Sequence, residues 1–108
     1  MAKSTFHDDV MVQLIKEDPD FAPVYLHQAF IEIDEDGGYE AFVLALHHVI
    51  EAKGGMTAVA KRAGISRESL YKSLSPKGNP SFRRVAAVAS ATGYPISRIA
   101  TAKMPVPA

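Results

Sequence analysis

The side chains best suited to chemistry fall in one stretch, Met56-Thr-Ala-Val-Ala-Lys-Arg-Ala-Gly64-Ile-Ser-Arg-Glu-Ser-Leu-Tyr-Lys-Ser-Leu74. Ser66, Arg67, Glu68 and Ser69 form a hydrogen-bonding set that suits nucleobase edges. A guanidinium forks onto guanine O6 and N7, a carboxylate accepts from the cytosine amino group, and a hydroxyl serves base or phosphate. Tyr71 and Lys72 are better placed for phosphate oxygens, and Lys53, Thr57, Lys61, Lys77 and Asn79 could flank the groove as further backbone contacts. The pattern predicts a reader of double-stranded DNA, with base contacts to specify and phosphate contacts to position.

Other chemistries are poorly provided for. His47 and His48 are adjacent in a helical pattern and point in different directions, whereas helical His ligands want i, i+4 spacing. His7 and His27 have no companions at ligand spacing, so no metal is expected, and nothing calls for a cofactor. No strand-turn-helix elbow holds a nucleophilic serine. Gly37-Gly38 and Gly54-Gly55 read as helix punctuation and not as phosphate loops, and Asp34 and Asp36 lack any pocket signature. With no cysteine, disulfides, thiolate zinc sites and cysteine nucleophiles are excluded. A binding protein, not an enzyme, is expected.

Presenting such a polar set requires two short helices crossing steeply. That geometry needs a small residue where they nearly touch, a residue tolerant of positive φ in the turn, and apolar residues locking the second helix onto the first. Ala60, Gly64, and the set Ile65, Leu70 and Leu74 supply these in order. This is helix-turn-helix spacing, in which the second helix enters the major groove. Around it, helix formers dominate and strand alternation is scarce, predicting an all-α chain. A first helix is expected over Asp8 to Glu17, with Val10, Leu14 and Ile15 on one side. A second opens at Asp18-Pro19 and runs toward Asp34, and a third spans Tyr39 to Lys53. Met56 to Ala63, Arg67 to Leu74 behind the cap Ser66, and Ser81 or Phe82 to Thr92 complete the set. Tyr94 to Ile99 reads as a short strand or docking arm, and the prolines near the end suggest a frayed tail. The implied organisation is an acidic N-terminal helical extension over 1–38, a DNA-binding domain over 39–99 and a flexible tail over 100–108.

The charges are unevenly shared. Twelve Lys and Arg balance twelve Asp and Glu, yet residues 1–40 hold ten acids and two bases while residues 41–108 hold ten bases and two acids. A net −8 segment thus precedes a net +8 segment that contains the whole candidate DNA-reading stretch, an asymmetry that favours a nucleic-acid partner for the basic half. Hydrophobic residues make up 47% of the chain, enough for a packed core, but no apolar run reaches the roughly 18 residues of a membrane span. No signal-peptide pattern opens the sequence, so a cytoplasmic protein with no membrane partner is expected.

Met56-Thr57 through Gly64, then Ser66-Arg-Glu-Ser-Leu-Tyr-Lys-Ser-Leu-Ser75 and Gly78-Asn-Pro80, followed by an apolar helix ending at Gly93, resembles the addiction-module antidote proteins. These are small HigA-like antitoxins with a lambda-repressor-like (Xre-type) helix-turn-helix. Asp18-Pro-Asp-Phe21 to Tyr25-Leu26 and Glu40-Ala-Phe-Val-Leu-Ala-Leu46 extend the likeness over about residues 18–94. The resemblance implies an all-α, lambda-repressor-like bundle of five to six helices. It also implies a homodimeric repressor of operator DNA that neutralises a toxin of RelE/ParE type encoded in the same operon. Independently, an acidic segment suits the cationic surface that an RNA-cleaving toxin must present. Phe21, Tyr25, Phe30 and Ile33 would be the apolar anchors there, unless they pack on the chain's own core. Two other readings stay open: a stand-alone helix-turn-helix repressor with no toxin, and a helical protein-interaction module that does not touch DNA.

Overall fold

A computed structural model describes residues 6–75 and 80–102. Over these residues the chain forms seven α-helices: α1 (Phe6–Glu17), α2 (Phe21–Ile31), α3 (Gly38–Ala52), α4 (Gly55–Ala63), α5 (Arg67–Leu74), α6 (Phe82–Ala91) and α7 (Ile96–Thr101). There is no strand among the described residues, so the all-α expectation holds, with one helix more than the sequence suggested. The extra element is α7, where a strand or arm was expected and where the segment assigned to the tail is helical as far as Thr101. Six residues are too few for periodicity to declare a helix, and packing decides the matter. Ile99 is fully buried, and its carbonyl accepts a hydrogen bond from His27 Nδ1 on α2 at 2.8 Å. Residues 103–108 lie outside the described residues.

The helix α3 is the hub, because α1, α2, α4 and α5 all pack on it. Its positions Phe42, Leu46, Val49 and Ile50 are fully buried and meet Ile15, Leu26, Val59, Leu70 and Val85 from the surrounding helices in one continuous core. A helix apolar round most of its circumference is what a central position requires. The remaining helices dock outward from it, α6 on α4 and α7 on α2.

The second helix stops at Ile31, short of the expected Asp34, and a backbone contact accounts for the early stop. Residues 32–37 fold into turns that bring the Glu32 and Ile33 carbonyls against the first residue of α3. Gly38 is buried there, and a β-carbon on it would sit 2.7 Å from the Ile33 oxygen and closer still to that of Glu32. Backbone cannot step aside as a side chain can.

A polar chain crosses the top of α3. His48 is 3% exposed, and its Nε2 donates to the Asp8 carboxylate of α1 at 2.7 Å. The ring's other nitrogen pairs with the Tyr25 hydroxyl of α2, 2.6 Å away, and accepts from it when the imidazole is neutral. The Tyr25 ring stacks on that of His48 and on Phe21. The histidine that looked like a poor metal ligand thus joins three helices. Burial, and then the nearby Asp8 charge, push the Tyr25 pKa up to about 12.

Four outcomes follow for stability. Gly38→Ala should destabilise the chain by about 1–3 kcal/mol or more in urea unfolding through the backbone clash. Gly37→Ala, with open space but a φ of 72°, should cost about 1–2 kcal/mol by strain alone. Tyr25→Phe leaves a ring nitrogen of His48 unpaired and should cost about 1–3 kcal/mol at neutral pH. The folded chain also holds the Tyr25 proton more tightly than the unfolded chain does. That stabilisation is complete below pH about 10 and disappears as pH rises toward 12. Thermal melts of the wild type should therefore fall off more steeply over that window than those of Tyr25→Phe.

Candidate nucleic-acid interface

Two short helices, α4 and α5, meet at a turn whose geometry follows from three residues. Ala60 is 2% exposed and lets the helices approach. Gly64 ends α4 in the left-handed region at φ 73°, and its Cβ position is open, so backbone freedom and not space calls for glycine. The Ile65 amide then reaches back to the Ala60 carbonyl at 3.1 Å, a bond that closes helix C-termini of this type. Ser66 starts α5 by accepting from the Ser69 amide at 3.0 Å. Leu70 and Leu74 fasten α5 inward and Ile65 packs partly buried beside them. Arg62 Nη1 donates to the Lys53 carbonyl, tying α4 to the end of α3.

With those residues turned inward, Arg67, Glu68, Ser69, Tyr71 and Lys72 of α5 are all exposed, as are Thr57 and Lys61 of α4. Among the described residues, no hydrogen bond or ion pair engages the side chains of Arg67, Glu68 or Lys72, which leaves their full capacity to a ligand or to water. Ser66 has an occupied oxygen, since the cap uses it, but keeps its proton to donate. Lys77 and Asn79 lie outside the described residues.

Lys53 is half-buried, and its ammonium lies 5.0 Å from the Tyr94 ring centroid, with the Arg98 guanidinium 4.9 Å from the same centroid. Tyr94 is itself buried and donates its hydroxyl to the Pro19 carbonyl. Cations over an aromatic face are held in place at modest energetic gain. Arg98 escaped sequence reasoning because the Tyr94 to Ile99 segment was not recognised as a helix; an aromatic four residues before a basic residue was the available signal.

Of the apolar residues offered as partner anchors, Phe21, Tyr25, Phe30 and Ile33 are all partly buried and packed against the core, with Phe30 edge-on to Phe42 at 5.9 Å. The first helix also differs from expectation: Ile15 is buried, but Val10 and Leu14 are exposed and do not share its side. No group of three or more His, Asp or Glu among the described residues is placed to hold a metal ion. Among the described residues, no helix is long and apolar enough to cross a membrane.

Comparison with known proteins gives a family model, described as probable addiction module antidote protein, that matches residues 10–100. A curated relative from Haemophilus influenzae, described as an uncharacterized protein, is 43% identical over 60 residues, which is 56% of this chain and 61% of the relative. The chain thus spans about three fifths of the length of the curated relative that it matches. No solved structure matches.

Ser66→Ala should lower stability by about 1 kcal/mol, and Ser66→Gly by only a few tenths, if the hydroxyl acts through the cap. Urea unfolding of the two variants separates this role from any contact with a ligand.

Proposed function

The chain belongs to the probable addiction module antidote family, and from that premise we propose that it is the antitoxin of a type II toxin-antitoxin module that also represses transcription. In this reading α4 and α5 act as an Xre-type helix-turn-helix of the HigA-like kind. The observation that carries it is the outward polar set of α5, held by a left-handed turn and two buried leucines inside the basic half of the chain. The helix α5 enters the major groove, where Arg67, Glu68 and Ser69, with the Ser66 proton, address base edges. Tyr71 and Lys72, with Thr57, Lys61 and Lys53, hold phosphates. Arg98 joins Lys53 at the rim through their shared aromatic support.

One such module covers too little surface for tight specific binding, so a homodimer places two copies of α5 in successive half-sites about 34 Å apart. The acidic segment serves the second task. It engages a basic toxin of RelE/ParE type encoded in the same operon, in the cytoplasm, and charge complementarity speeds that encounter.

Arg67→Ala should weaken operator binding by about 1–3 kcal/mol and relax preference at one base pair. Lys72→Ala should weaken all sequences alike and flatten the salt dependence by about one phosphate's worth. Gel-shift titration at several salt concentrations checks both; unchanged affinity and preference in Arg67→Ala would rule out base reading by this residue.

A further inference from the structure

The first helix is apolar on two sides and the fold uses only one of them. Ile15 is buried, Met11 and Val12 are half-buried, and Asp8 reaches the buried His48. On the other side Phe6 is 84% exposed, Val10 37% and Leu14 42%. Four-residue steps advance about 40° each, so these three side chains fall within an arc of about 80° and extend along about 12 Å of helix axis. Single exposed apolar residues are ordinary on a protein surface. Three on consecutive turns of one face are the anchor spacing by which a helix lies in a groove of another protein.

The rim of this stripe is acidic. Asp9 is exposed at its flank and Glu17 at its C-terminal end, Gln13 donates to Glu17, and Lys16 is the only lysine or arginine on the helix, which also carries the exposed His7. It belongs to the segment with ten acids and two bases. Pairing the stripe with a second copy of itself would bring two such segments together, whereas a cationic surface would attract it.

We propose that Phe6, Val10 and Leu14 of α1, with Asp9 and Glu17 as rim, dock this chain on a basic protein, in an apolar cleft framed by Lys and Arg. This rests on the antidote reading, in which that basic protein is the toxin. The stripe is available without disturbing the core, while Phe21, Tyr25, Phe30 and Ile33 are already packed on it. The bond from His48 to Asp8 fastens the opposite side of α1 to α3, so the docking helix is ordered before it meets its partner and binding does not bear the entropy of folding it.

The test co-expresses the full chain with the product of the open reading frame adjacent to its gene and measures affinity and association rate by biolayer interferometry. Phe6→Ser/Val10→Ser/Leu14→Ser should bind that protein about 30-fold more weakly or worse, the loss of an anchor cluster, with thermal unfolding and operator binding unchanged. Phe6→Ser alone tests the same face if the triple variant folds poorly. Asp9→Asn/Glu17→Gln should slow association at low salt and leave dissociation unaltered. Wild-type affinity in the folded stripe variants overturns the proposal while the antidote reading stands. Failure of the wild type to bind the neighbouring product overturns both. A change from dimer to monomer in sedimentation of the stripe variant makes a second copy the occupant and overturns the proposal as well.

Discussion

Phe42, Leu46, Val49 and Ile50 are withdrawn from water on a single helix that touches α1, α2, α4 and α5. The acidic and basic parts of the chain therefore contribute to one hydrophobic core. In a chain without cysteine this burial is the dominant favourable term. The polar set of α5 and the stripe of α1 are both placed by their docking on α3. A core side chain lost from that helix would loosen the two faces together.

The polar groups inside this core work under a stricter rule than those at the surface. His48 is acceptable there because both of its ring nitrogens are paired, one to a carboxylate and one to a hydroxyl. Tyr94 obeys the same rule at the edge, with its hydroxyl on the Pro19 carbonyl and its ring supporting two cations. Both residues connect elements distant in sequence. The proposed binding faces consist instead of side chains whose polar or apolar capacity the fold leaves open.

Local signals carried the helices far better than the faces those helices use. Ser66, Gly64 and the leucines at 70 and 74 mark the limits of α5 by chemistry that acts within a few residues, and the helix spans the predicted Arg67–Leu74. Gly93 likewise closes α6, its φ of 97° allowing the Tyr94 amide to reach the Ala89 carbonyl. The α7 helix and the early end of α2 were not legible, because one depends on docking against His27 and the other on carbonyls folding over Gly38. In α1, the sequence reading puts Val10, Leu14 and Ile15 on one side, but of these only Ile15 is buried. The buried side is the one that carries Ile15 and brings Asp8 to His48 across 40 positions of sequence. For the candidate interface, the residue types and their exposure on α5 could be anticipated, whereas the pairing of Lys53 with Arg98 needed the tertiary fold.

The bonds that join α7 and the turn before it to α2 and the turn that precedes α2 span 72 residues between His27 and Ile99 and 75 between Pro19 and Tyr94. Contacts of such separation form late, because the intervening chain must first be gathered. During synthesis, α1 to α6 can leave the ribosome and begin to collapse while the surface of α2 that receives α7 is still uncovered. The nascent chain would thus carry a temporary apolar face, and native closure would wait on the emergence of a six-residue helix. The short segment that hardly registers as secondary structure is what covers that face of α2.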